Sequence, residues 1–362
     1  MTDLDAPLRG ITVLEVAGEL TGYAGKLLAD LGADVVLVAP PVAGGDFDAT
    51  DFFFHHGKTR VPVSAEPGGL GDLIADADVI LQSAGRDEPS PAELEPDAVR
   101  AVNPRAVHVV LTPYGSTGPR ADAPSTDLTR LAAGGLLYLG GYPDTEPVAA
   151  FGCQSTIATG IYGAVAALLA LLDRERTGDG DTIDVSSQEV MTQALETSLA
   201  EYELLGRVRR RVGDAPREAG TGIFPCADGH VSIVAGRLGT ATAWQNLVAW
   251  LQEAGVPGAT ALAGPGWDTL DHRQRPESIA EFSEIFCRFA AARTKDELYR
   301  EGQRRSIAMA PVNDVADVLA DPQLAARDFF VETTDPESGV TVRMPRPPFR
   351  LSATPEPLAE PA

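Results

Sequence analysis

The chain has 362 residues, 44% hydrophobic and 22% charged, a balance typical of a globular protein with room for one large domain and a smaller one. Asp plus Glu total 52 against 29 Lys plus Arg; the resulting formal charge of −23 repels nucleic acid and anionic membranes at long range, so neither is expected as a partner. Three separated cysteines (Cys153, Cys226, Cys287) form no CxxC pair, and the start MTDLDAPLRG lacks a basic region followed by an apolar run, so a cytoplasmic protein with no metal is expected.

In chain order, ITVLEVA (11–17) reads as a strand covered on both faces, and GELTG (18–22) as a glycine-flanked turn. Ala24, Leu27, Leu28 and Leu31 then recur at helical spacing, with Gly32 where a helix stops. DVVLVA (34–39), DVILQ (78–82) and AVHVVLT (106–112) are further strands separated by helical patterns, an alternation that predicts an open, mostly parallel sheet. A Gly/Pro-rich stretch (113–124) leads to the apolar run 157–172, interrupted by Gly160 and Gly163. It is short for a comfortable membrane span and too apolar all round for a surface helix, so a buried core helix is expected. TIDVSS reads as a strand and Gln188 to Leu205 as one helix. FPCADGHVSIVA predicts a hairpin turning at Asp228–Gly229, followed by more polar helices around 241–253 and 277–301. After Pro311 the chain is strand- and turn-rich. The predicted division is a large domain over 1–210, a small domain over 220–310 and a segment over 311–362.

Five segments in order resemble the family III CoA-transferases, the group of carnitine-CoA-transferase, formyl-CoA-transferase and 2-methylacyl-CoA racemase. They are LRGITVLEVAGELTGYAGKLLADLGADVVLV, HHGKTRVPVS, NPRAVHVVLTPYGSTGP, LLALLDRERTGDGDTIDVS, and PVNDVADVLADPQLAARDFFVE with PRPPFRLSATP. The resemblance implies an α/β fold: a large doubly wound domain, a small α/β domain, a C-terminal segment returning to the large one, and an intertwined homodimer. It also implies coenzyme A at the C-terminal ends of the parallel strands, where helix N-termini favour anions. Gly18 and Gly22 are the first candidates for contact with it, although a tight strand-to-helix turn explains both equally well. Lys58 is placed to meet a phosphate or to be a solvated surface lysine. Ser83, in Gln82-Ser83-Ala84, falls where the family carries an ENF-like triplet against the cofactor. Leu37, Ala39 and Pro40 stand where Lys, Glu and Arg are common.

The chemistry implied by the resemblance needs an aspartate whose carboxylate attacks the thioester to form a mixed anhydride; CoA thiolate then returns to give an aspartyl-CoA thioester. That aspartate stands four residues before a glycine of the apolar helix. Four before Gly160 is Thr156, and no acid occurs between Glu146 and Asp173. A threonine cannot form the anhydride, and a residue capping the helix start is the expectation for Thr156. Asp127 matches an acidic position beside the nucleophile; it either serves substrate or caps the helix that starts with Leu128. The racemase branch carries a histidine where Thr126 stands, so racemisation by that pair is not expected. Turnover without the aspartate would be a direct attack of an acceptor carboxylate, oriented by Gln154 and Asp127, with backbone N–H groups near Thr156 at the oxyanion. Cys153 is expected to pack, and His230 to be exposed. Three functions remain open: a CoA-transferase-like protein acting on acyl-CoA thioesters, a non-catalytic CoA-binding subunit paired with an active homologue, and a binding or regulatory protein that has lost CoA.

Overall fold

The computed structural model describes residues 6–40, 47–62, 69–88, 90–213, 216–235, 241–335 and 338–352. The ends of two of the segments quoted above, 63–64 and 353–355, lie outside these residues. The chain divides into two compact units, 1–211 with 325–362, and 212–324. In the first, six strands form one parallel sheet in the order β3-β2-β1-β4-β5-β6. They are β1 (Thr12–Val16), β2 (Asp34–Val38), β3 (Thr59–Val61), β4 (Val79–Ser83), β5 (Val107–Thr112) and β6 (Thr182–Ser186). Between them run α1 (Gly22–Asp30), α2 (Ala49–His55), α3 (Gly69–Asp76), α4 (Pro96–Val102), α5 (Asp127–Ala133) and α6 (Gln154–Thr177), with α7 (Ser187–Gln193) and α8 (Thr197–Leu205) after β6.

The doubly wound arrangement follows from strands that are apolar on both faces. Val13, Val79, Val109 and Leu111 pack with Ala24, Leu28, Ala164 and Ala167 of α1 and α6. Leu14, Val38 and Ile80 face the other way, onto Ile74 of α3 and Val99 of α4. At the N-terminal end of the sheet Arg174, near the C-terminus of α6, pairs with Asp78 Oδ1 at 3.0 Å, and Asp78 Oδ2 accepts from Thr12 N. This pair joins α6 to the strands at the end of the sheet away from the β1–α1 turn.

Three expectations change in this unit. The helix predicted from Gln188 to Leu205 is broken: α7 and α8 are separated at Glu196, which has a positive φ of 46°. The apolar helix α6 is not buried all round. Its small residues Gly160, Gly163, Ala164 and Ala167 face the core, while Ile161, Tyr162, Val165, Leu169 and Leu172 are exposed on the opposite side. By length and composition α6 would also pass as a membrane span. The small side chains are what let it lie against α1, since a Cβ on Gly160 would stand 2.8 Å from Tyr23 Cβ.

The second unit has an antiparallel sheet of β7 (Thr221–Cys226), β8 (Gly229–Val234) and β9 (Ala308–Val312), with β8 central. The hairpin pairs Cys226 with Gly229, so its loop is Ala227–Asp228, one residue earlier than expected. Helices α9 (Ala241–Glu253), α10 (Leu270–Arg273), α11 (Pro276–Ala290) and α12 (Lys295–Arg304) follow, and Trp244 and Trp250 of α9, Phe282, Phe286 and Phe289 of α11 and Trp267 before α10 share one core with Phe224. The helix predicted over 277–301 is two helices, because Thr294 and Glu297 form a capping box that starts α12 afresh. After β9 come α13 (Val315–Leu319), α14 (Pro322–Ala326) and the hairpin β10 (Phe330–Thr334) with β11 (Thr341–Pro345). The second unit runs to residue 324, with β9 hydrogen-bonded to β8 in its sheet.

Candidate active site

The loop after β1 lies beside the end of β4. A Cβ on Gly18 would stand 2.4 Å from Ser83 Cβ, so glycine at 18 is demanded by this packing. The Ser83 hydroxyl donates to Glu88, whose other oxygen accepts the Glu19 amide at 2.8 Å. Thr21 turns its hydroxyl back onto the carbonyls of Val16 and Gly18, and no side chain caps the start of α1. Gly22 opens that helix, and a Cβ there would make only ordinary contact with Phe54. Gly18, Gly22 and Ser83 are thus gathered at the C-terminal ends of β1 and β4.

Lys58 belongs to the same neighbourhood but is not placed to meet a phosphate. Its side chain is fully buried, the ammonium 2.6 Å from the equally buried carboxylate of Glu15 and 2.9 Å from the Gly22 carbonyl oxygen. A Cβ on Gly25 would fall 1.7 Å from Glu15 Oε2, so the helix makes room for the ion pair with a glycine. Burial pushes the Lys58 pKa down and that of Glu15 up, each opposed by the attraction of the other. His55, with Nδ1 3.4 Å from the ammonium, is lowered to about 4, by burial first and then by the Lys58 charge. The lysine therefore ties β1, the start of α1 and the end of α2 together.

The position of Thr156 is organised by α5. Thr126 caps that helix in a box with Thr129, which frees Asp127 from capping its own helix. Asp127 and Arg130, three apart, share one face of α5 and both reach the first turn of α6. Asp127 Oδ1 accepts from Ser155 N at 2.8 Å, Ser155 Oγ at 2.7 Å and Thr156 N at 3.3 Å. A carboxylate at a helix N-terminus is favourable by charge as well as by hydrogen bonding. Asp127 caps a helix after all, but α6 rather than α5. The amides expected at an oxyanion are the ones it occupies. Thr156, buried at 4% exposure, does not cap its helix; its Oγ1 accepts from Arg130 Nη2 at 3.0 Å. Gln154 is exposed and bonds its side-chain amide to the Phe151 carbonyl. Cys153 is partly buried and His230 exposed.

Arg130 escaped the sequence reading. Its side chain is 0% exposed, and each of its five N–H groups has an acceptor. Nε donates to Ser155 Oγ at 3.0 Å, and Nη1 to Ser125 Oγ at 3.1 Å and Glu19 Oε2 at 3.0 Å. Nη2 donates to Glu19 Oε1 at 2.5 Å and to Thr156 Oγ1. Two signals in the sequence point to it: the Asp127-x-x-Arg130 spacing on a short helix, and Glu19 as the acid inside the GELTG turn. Among the described residues no cluster of His, Cys, Asp and Glu is arranged to hold a metal.

The profile of CoA-transferase family III matches residues 8–362. Succinyl-CoA:(R)-benzylsuccinate CoA-transferase subunit BbsE of Thauera aromatica is 32% identical over 94% of this chain and 87% of its own. The beta subunit of succinyl-CoA–L-malate CoA-transferase of Chloroflexus aurantiacus is 30% identical over 98% and 90%. Among solved structures, a CAIB/BAIF family protein from Brucella suis superposes with a TM-score of 0.83 at 27% identity, covering 97% of this chain and 94% of that one. With the parallel sheet, the glycine-flanked β1–α1 loop and a match over nearly the whole length, the chain belongs to CoA-transferase family III.

Proposed function

We propose that this protein is a CoA-binding subunit of a family III CoA-transferase, working with a homologous chain that supplies the acyl-carrying carboxylate. One observation carries the reading. Where the family's chemistry needs a free carboxylate, this chain has Thr156, whose hydroxyl accepts from a buried guanidinium with no N–H to spare. A side-chain carboxyl is required because its own acyl carbon bears the group in transit. Asp127 Oδ1 accepts three bonds from the first turn of α6, which supports a structural part for this carboxylate. Two of the relatives named above are themselves described as subunits of CoA-transferases, which supports the reading. For coenzyme A, the supporting features are the close Gly18–Ser83 packing and the N-terminus of α1, which lacks a side-chain cap and so suits an anionic group.

A second chain also accounts for the apolar side of α6. Ile161, Tyr162, Val165, Leu169 and Leu172 form one exposed face of α6, and α8 separately exposes Leu199, Tyr202, Leu204 and Leu205. An exposed apolar helix face of this kind supports a surface that is covered in the assembled protein. Either a second copy or a homologue fits it.

The test is to incubate the purified chain with succinyl-CoA and a panel of organic acids, alone and co-expressed with a family III homologue that has the aspartate. Expected are heat of CoA binding in calorimetry, no CoA exchange by the chain alone, and no hydroxylamine-sensitive protein species. Turnover by the isolated chain through a covalent adduct at Thr156 or Cys153 would overturn the subunit reading. Absence of CoA binding at millimolar ligand would overturn the cofactor.

A further inference from the structure

Two of the ion pairs around the β1–α1 loop differ in construction. In Lys58–Glu15 both side chains are fully buried, as in a pair that only holds elements together. In Arg130–Glu19 the arginine is fully buried and the glutamate is 47% exposed. The carboxylate of Glu19 thus sits as a stopper between solvent and the guanidinium. Beneath it the guanidinium is held from three further directions by the hydroxyls of Ser125, Ser155 and Thr156. Those three bonds orient the fork without neutralising its charge. The Glu19 backbone is anchored separately, by its amide on Glu88, so the Glu19 side chain alone has to turn for the fork to open.

We propose that Arg130 is a binding site for the carboxylate of a small organic acid, and that Glu19 is the carboxylate that occupies it in the ligand-free chain. A guest carboxylate would accept the same two N–H bonds, from Nη1 and Nη2, in the bidentate geometry arginine favours. Its tail would run to solvent along the path the Glu19 side chain now takes. Because one carboxylate replaces another, the arginine is never left buried and unpaired, the costly state. Glu19 competes from within the molecule at an effective concentration in the millimolar range or above, so the intact chain binds acids weakly. The site rests on the family reading only in the choice of organic acids as ligands. It requires neither turnover nor a partner chain.

The experiment uses the full chain without CoA, with succinate and propionate as probes and propionamide as the neutral control. Wild type is expected to bind either acid at millimolar concentration or weaker. Glu19→Ala should bind at least tenfold tighter by calorimetry, and its melting temperature should rise with propionate but not with propionamide. Thr156→Asp, which sets a fixed carboxylate beside Nη2, should weaken binding at least tenfold relative to wild type. Should Glu19→Ala fail to fold, Glu19→Gln keeps the shape without the charge and is expected to show the same gain. A folded Glu19 variant with no gain in acid affinity, or one that responds equally to propionamide, overturns the proposal. Because binding is read without CoA, a negative result here leaves the test of CoA-transferase function independent.

Discussion

Arg130 and Lys58 show how little a residue's type says about its role until its partners are known. Either residue type can meet an anion, yet Lys58 is sealed against Glu15 while Arg130 lies one exposed side chain from solvent. Lys58→Met leaves Glu15 buried without its cation and is expected to cost about 3–5 kcal/mol, most of it recovered by adding Glu15→Gln; urea unfolding of the two variants checks this. His108 makes a prediction about acid. It is 1% exposed, Nε2 lies 2.7 Å from Gln82 Oε1, and burial lowers its pKa from 6.5 to about 4. A folded pKa below the unfolded one means stability that is fully present above pH 6.5 and is lost as pH falls towards and through 4. The contribution is about 3 kcal/mol. His108→Gln should remove that part of the acid loss, while the similar contribution of His55 remains in both proteins. Unfolding free energies at pH 7 and pH 4 provide the comparison.

At the scale of elements, α6 carries the fold's main contact outside the sheet. Its glycines are spacing devices: a Cβ at 160 would lie 3.0 Å from Ala24 N, and one at 163 would lie 2.7 Å from Leu111 Cδ2. Gly160→Ala gains about 1 kcal/mol of helix propensity and meets backbone, which cannot yield cheaply. The expected net effect is a loss of about 1–2 kcal/mol, read as a lower urea midpoint with unchanged slope. The first turn of the same helix depends on Asp127. Asp127→Ala removes an acceptor shared by two amides and a hydroxyl, and should cost about 1–2 kcal/mol, at the upper end of the range for lost caps. Asp127→Asn should recover part of it, which a role in proton transfer would not predict.

For the whole molecule, the exposed face of α6 sets an expectation about assembly. Leu169 and Leu172 are 63% and 71% exposed, too much apolar surface on one helix to leave in water. With a second copy as the cover, the chain should sediment as a dimer at low micromolar concentration. Leu169→Glu combined with Leu172→Glu should shift it to monomer, whereas a folded wild-type monomer would leave a homologous chain as the cover. With a chain charge of −23, any such association should strengthen with added salt up to physiological ionic strength, because repulsion between like-charged chains is screened.

What the sequence determined by itself was local and periodic. Apolar runs of five to seven residues located five of the six strands of the parallel sheet to within one or two residues, β3 excepted, and Gly32, with φ of 91°, ended α1 where expected. That residue 156 is a threonine and that no acid occurs between Glu146 and Asp173 was equally legible. What the sequence left open concerned groups brought together from afar. Glu15 meets Lys58 across 43 residues and Glu19 meets Arg130 across 111, and no periodicity encodes such distances. The same holds for α6, whose uniform apolarity predicted burial. Hydropathy records the cost of leaving a face in water, but it does not say whether the cover comes from the same chain or from another. Only the tertiary structure decided which side was already covered: the small residues face α1 and β5, and the large ones remain outside.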